Sequence, residues 1–421
     1  MESTDNLEAI EETDLTRQAL RASGGDGDGH PRWRMTLYTV WVAQLLAMVG
    51  FSFVMPFMPF YVRELGVRDE RLLRIWAGML ATGAGLMMSV SAPFWGWVAD
   101  HYGRKPMVQR AMFGGAVVLS LMAFVRNASQ LLGLRTLQGA VTGTVSASAA
   151  LVCSVTPRAW LGYSLGLMQA AVFVGGSVGP LVGGVVADRY GYRVPFGVTG
   201  ALLLLGGLLV LFGAKERFTR PEPHAQAKGS TWELFRMPGV RLLLVVYFMI
   251  SLSGSFVGAI LPLFVDQILG EPEKAASATG LILACTGAAS AVAAVMVGRV
   301  SDRWGHKRVL VVATAITGVL CVPQFFARSV GQLLVMRVVF GLGAGGMMPA
   351  MNAMVASIVP RHGFGRAYGF TATASSLGWG IGPALGGVAA SVLGLRAPFL
   401  IMAALLVVMS AVAQRKLRPV A

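Results

Sequence analysis

Two arginines, Arg135 and Arg337, stand inside long apolar runs at matching places in the two halves of the chain. No acid or histidine accompanies them there: all 20 Asp and Glu and all 5 His fall in the N-terminal tail, in polar joints or at run ends. A charge held in apolar surroundings is costly and is by default a functional hypothesis. Arginine keeps its proton at any physiological pH, so it is not itself a proton carrier. It can hold a nearby carboxylate ionised or bind an anionic group. The carboxylates placed to titrate in such a path are Glu64 and Asp266, at the ends of the first and seventh runs. Each arginine is only a few residues from its run's end, so snorkelling toward water is the competing reading.

A second set of charges sits in a repeated loop. Gly96–Pro106 reads GWVADHYGRKP, and Gly298–Arg308 reads GRVSDRWGHKR. An offset of 202 pairs Gly96 with Gly298, Asp100 with Asp302, Gly103 with Gly305 and Lys105 with Lys307, while His306 replaces Arg104 and Arg308 closes the second copy. Arg135 with Arg337, Pro59 with Pro262 and Gly179-Pro180 with Gly382-Pro383 continue the register, so the chain is a duplication. The glycines permit a sharp turn, an Asp beside a helix N-terminus is favoured by the dipole, and the bases can pair with acids or with a membrane surface. A third pattern is steric. Gly175, Gly179 and Gly183 recur every four residues, Gly176 and Gly184 widen the smooth face, and Pro180 adds a flexible point. Gly378, Gly382, Pro383 and Gly386 repeat it.

Other patterns carry less. Gly341, Gly343 and Gly346 match a dinucleotide fingerprint, but no strand precedes them and no acid follows at the required distance. Cys153, Cys285 and Cys321 read as inert thiols in apolar sequence. With no nucleophile elbow, metal-ligand cluster or phosphate loop, neither an enzyme nor a metal or cofactor is expected.

The elements that must position these residues follow from composition. Of 421 residues 55% are hydrophobic and 13% charged, and the mean hydropathy is +0.65, so lipid is the relevant solvent. The chain reads as an all-α membrane protein of twelve transmembrane helices in two pseudo-symmetric six-helix halves. Residues 1–34 form an acidic, disordered cytoplasmic tail, 35–214 the first half, 215–239 a polar connector, 240–414 the second half and 415–421 a basic tail. Pro56 and Pro59 predict a kink late in the first span. The net charge of +15 does not signal nucleic acid, because the bases collect in joints on the side of the termini, which places both termini in the cytoplasm. Arg63, Arg68, Arg71 and Arg74, in the first opposite joint, are the exception.

Two six-span halves, each with G-x-x-x-D-x-x-G-x-K/R between its second and third spans, resemble the major facilitator superfamily from about residue 32 to 418. Arg135-Thr-Leu-Gln138-Gly139 in span 4 fits the same family, and Gly175 to Gly184 resembles its drug:proton antiporter branch of twelve-span exporters. The resemblance implies a secondary active exporter of small amphipathic compounds of the multidrug efflux type, driven by a proton gradient. It works by alternating access, with the repeated loop latching the two halves. It also implies a monomer in the bacterial inner membrane, surrounded by membrane lipid. The substrate cavity would lie at mid-membrane, near Gln138, Gln169, Phe173, Phe256, Asn352 and Trp379. Two arginines without buried acids tilt the cargo toward neutral, zwitterionic or anionic amphiphiles. The second reading keeps the fold and makes the cargo an endogenous metabolite such as a siderophore or metallophore.

Overall fold

The computed structural model describes residues 32–157, 160–216, 238–358 and 364–417, and all regular structure among them is helical. The expected disorder of the tail to residue 31, most of the connector and the last four residues lie outside the described residues. Eleven helical segments among the described residues are long and apolar enough to cross a membrane. The twelfth span is the helix Arg104–Met122, made less apolar by Arg104, Lys105, Gln109 and Arg110 in its first two turns.

Six spans are single helices: span 2 (Glu70–Tyr102), span 3 (Arg104–Met122), span 5 (Leu161–Tyr190), span 6 (Val194–Gly213), span 9 (His306–Phe325) and span 12 (Ala397–Lys416). Span 8 (Ala275–Trp304) and span 11 (Phe364–Leu393) are likewise continuous. The other four are broken, and they are the first and fourth of each half. Span 1 comprises Trp33–Phe53 and Met58–Glu64, span 4 Ala128–Val141 and Thr144–Val155. Span 7 comprises Pro238–Phe256 and Leu261–Leu269, span 10 Val330–Ala344 and Met347–Ile358. Proline accounts for the breaks in spans 1 and 7, where Pro59 and Pro262 open the second segment. Glycine accounts for the others. Gly143 takes φ +123°, which a side chain disfavours, and Gly345-Gly346 fall between the two segments of span 10. Spans 4 and 10 read as continuous in sequence, because a glycine breaks a membrane helix only when packing demands it.

The duplication reaches the core. Fully buried Tyr61 packs on Phe196 with ring centroids 5.2 Å apart, and Phe264 on Phe399 at 5.0 Å. Both members of the second pair lie 203 residues after those of the first.

Because successive spans alternate in direction, one face carries both described chain ends and the turns at Gly103 and Gly305; the opposite, far face carries Glu64, Asp266, Gly191 and Gly394. The halves meet chiefly through span 2 against span 11 and span 5 against span 8. The hydrogen bonds described between halves lie toward the far face, in these spans and between spans 1 and 7. They are Arg63 to Asp266, Arg74 to the Ala390 carbonyl, the Ser277 amide to Asp188 and the Ala384 amide to Thr82. Close backbone approach continues to mid-span, where a Cβ on Gly85 would lie 2.8 Å from Gly380 Cα. Nearer the face of the termini, a Cβ on Gly96, Gly162, Gly166 or Gly369 would meet nothing within 4 Å. The halves are thus closed at the far face and parted at the other.

Candidate functional site

The turn between spans 2 and 3 is built as the sequence predicts, with Gly103 at φ +99° and Gly305 at +87° in the second copy. The side chains of Asp100 and Asp302, and residue Gly298, lie outside the described ones. What the turn holds was not legible beforehand. The Arg104 and Lys105 amides, unpaired because they open span 3, donate to the Glu216 carboxylate at 3.0 and 2.7 Å. Lys105 Nζ in return donates to the carbonyls of Leu211 and Ala214, the last of span 6, at 2.9 and 2.7 Å. A helix N-terminus takes an acid and a helix C-terminus takes a base. In this conformer the clasp joins two spans of one half rather than the two halves. If its two arms act as one unit, Glu216→Ala and Lys105→Met should each lower the melting temperature. The double variant should then lose less than the sum by at least about 0.5 kcal/mol. Strict additivity in thermal or denaturant melts would separate the two arms.

At the break of span 4 a polar chain collects. Arg135 donates to Gln138 Oε1 at 2.7 Å, and Thr142 Oγ1 donates to the Gln138 carbonyl at 2.7 Å. Arg110 Nη2 reaches the Thr142 carbonyl at 3.4 Å, while its guanidinium stacks 3.7 Å from the Trp95 ring centroid. Trp95 Nε1 donates to the Ala140 carbonyl at 2.6 Å. Arg110 lies two turns into span 3, a further charge inside a span beside the Arg135 and Arg337 that the sequence singles out. The carbonyls of Ala140 and Thr142 flank the break and need donors, which Trp95 and Arg110 supply. Gly139 lets span 4 close on span 2, since a Cβ there would fall on the Ala84 carbonyl. In the second half Arg337 is 7% exposed and lies 5.1 Å over the Phe340 ring.

The glycines of span 5 divide between two neighbours. A Cβ on Gly175 would fall 2.5 Å from Met48 Cβ, one on Gly179 2.5 Å from the Val49 carbonyl oxygen, and one on Gly183 on the Phe53 carbonyl, all in span 1. Gly184 instead faces the Ala276 carbonyl of span 8 across the halves, and the Pro180 carbonyl receives Gly280. Gly176 meets open space. Span 11 repeats the arrangement, with Gly378, Gly382 and Gly386 facing Phe248, Leu252 and Phe256 of span 7.

At the far face Arg63 bridges Asp266 at 2.9 Å and Glu70 at 3.2 Å, and Glu64 pairs with Arg193 at 3.5 Å. Asp266 is therefore bound across the halves, whereas Glu64 is bound within one. Asp188, near the end of span 5, accepts from the Ser277 amide at 2.7 Å. It went unnoticed in the sequence because its partner is a backbone amide 89 residues away.

The expected cavity residues separate. Gln169, Phe173, Asn352 and Trp379 are exposed, and Asn352 accepts from Tyr247 Oη at 2.7 Å. Gln138 is buried beside Arg135, and Phe256 is 4% exposed with its carbonyl against Gly386, which makes it packing. Lys307 and Arg308 begin span 9.

Comparison with known proteins fits this geometry. The family model described as Major Facilitator Superfamily matches residues 40–277 and 243–420. Multidrug resistance protein MdtG of Citrobacter koseri is 32% identical over 373 residues, covering 88% of this chain and 92% of that protein. MdtG of Proteus mirabilis is 32% identical over 375 residues, covering 88% and 93%. A bacterial homologue of the human lysosomal transporter Spinster, solved inward-facing and occupied, superposes with TM-score 0.76 at 15% identity over 92% of this chain and 98% of its own.

Proposed function

Because this chain belongs to the Major Facilitator Superfamily, we propose that it is a proton-coupled exporter of small amphipathic compounds, working as a monomer by rocking its two halves about a midplane site. The observation that carries this reading is the near full-length similarity to MdtG. The seam of spans 2, 11, 5 and 8, closed at one face and parted at the other, supports alternating access. Basic joints on the side of the termini support a cytoplasmic position for that side in a bacterial inner membrane, and on that reading this conformer is open inward.

The four broken spans fit the family of transporters whose sites lie where helices are interrupted. The exposed Gln169, Phe173, Asn352 and Trp379 supply a mixed apolar and amide surface, and Arg135 and the buried Arg337 add fixed positive charge inside the two halves. Neutral, zwitterionic or anionic amphiphiles suit it best. For coupling, Asp266 is favoured over Glu64, because its partner Arg63 belongs to the other half and is lost when the far face opens. Breaking that ion pair ties the state of Asp266 to the rocking step.

The test is substrate efflux and proton flux in proteoliposomes with an imposed pH gradient. Wild type should move protons against substrate. Asp266→Asn should transport downhill only, Glu64→Gln should stay coupled, and Arg135→Ala should lose anionic cargo selectively. Coupled export that survives in Asp266→Asn removes that residue as carrier, and a wild type that exports no amphiphile under a gradient defeats the reading as a whole.

A further inference from the structure

An apolar groove of about 360 Å³ opens between spans 8, 9 and 10 on the face of the termini. Its lining along span 9 runs from Arg308 to Leu320, about 18 Å at 1.5 Å per residue. That is roughly the depth of one leaflet of a ~30 Å hydrocarbon core. Gly343 of span 10 contributes no side chain to the groove, and Val312 and Ile316 line it while half exposed. Trp304, 70% exposed, and Arg308 stand at its mouth. A tryptophan and an arginine over an apolar slot one leaflet deep have the profile of a phospholipid site.

The repeat supplies an independent argument. In the first half Lys105 is spent on span 6 carbonyls, Glu216 neutralises the start of span 3, and Pro106 occupies the position that answers to Arg308. In the second half, among the described residues, neither Lys307 nor Arg308 has a hydrogen-bond or ion-pair partner. Span 12 ends there in Arg415 and Lys416, where the first half supplies an acid. The excess positive charge of the second half therefore includes the exposed Arg308 that lines the groove, with Lys307 next to it in sequence. We propose that this groove binds one acyl chain of an anionic phospholipid, whose phosphate is held by Arg308 and Lys307. A guanidinium matches phosphate oxygens two at a time, and a neighbouring ammonium adds charge. The groove flanks spans 8 and 10 of the second half, so a lipid seated there touches both a seam helix and a broken helix.

The measurement is lipid retention by native mass spectrometry. Full-length protein is offered phosphatidylglycerol or phosphatidylcholine of identical chains, with palmitate as a third probe. Wild type should retain phosphatidylglycerol at least fivefold over phosphatidylcholine. Lys307→Gln/Arg308→Gln should bring the two to parity, and Val312→Trp, which fills the groove from an exposed position, should reduce both. Arg328→Gln at the far face should change nothing, and melting temperatures near wild type certify folding. Brominated phosphatidylglycerol should quench fluorescence in wild type more than in Trp304→Phe, which reports the location even if Val312→Trp fails to fold. Equal retention of the two lipids by wild type, or unchanged preference in the double variant, overturns the proposal. Palmitate bound as tightly as phosphatidylglycerol also overturns it, by making the groove a general amphiphile site.

Discussion

Gly179→Leu should abolish transport and lower the melting temperature by several degrees, while Gly176→Leu, three residues earlier on the same helix, should fold and remain active. The difference is steric. Even a Cβ at 179 would sit 2.5 Å from the Val49 carbonyl oxygen and 2.8 Å from Ser52 Cβ, whereas one at 176 meets open space. Backbone does not give way as a rotamer does, so spans 1 and 5 must separate along their length, at a destabilisation of about 1–3 kcal/mol or more. Alanine at 179 meets the same first obstacle and should already be impaired. Transport assays and thermal melts on the three variants decide this. If the leucines at 176 and 179 behave alike, the face does not pack as described.

Gly85→Leu acts on a different surface and should fail differently. Gly85 approaches Gly380 across the halves, where an added Cβ would lie 2.8 Å from a Cα. A leucine there is a wedge in the seam, leaving the internal packing of each half alone. The protein should insert and melt near wild type, yet be unable to close its far face, with transport reduced at least tenfold. Spin labels on the exposed Arg68 and Gln267, on opposite halves of that face, should report a longer distance in the variant, since only the closed state is penalised. Wild-type transport with an unchanged distance distribution would refute the wedge. Together the two variants separate a folding role for span 5 glycines from a gating role for span 2.

The duplication, the helical class and the proline that breaks span 1 were legible because each is carried by residue types with few alternative uses. The span 5 glycines were legible as a smooth face, though not as two faces serving different neighbours. Sequence spacing hid the rest. Glu216 meets Lys105 from 111 residues away, Asp188 and Asp266 find partners on the other half, and Arg110 was absorbed into a basic joint because its run starts so near the turn. The breaks at Gly143 and Gly345-Gly346 were invisible for another reason: glycine is so frequent in these helices that no single one announces an interruption. Local chemistry can be read residue by residue, but the choice of partner belongs to the fold.

The seam has one more consequence. Several of its contacts, Gly78 on Pro383, Gly85 on Gly380, Gly184 on Ala276 and Gly280 on Pro180, set backbone against backbone. Where backbone meets backbone, few rotamers are frozen when the two surfaces come together. If the halves rock as proposed, such a surface would serve as their bearing. On that reading the polar bonds at the far rim, and whatever the cavity holds, would distinguish one conformer from the other. Such a machine can be retuned to new cargo by changing the cavity wall while its bearing is left untouched.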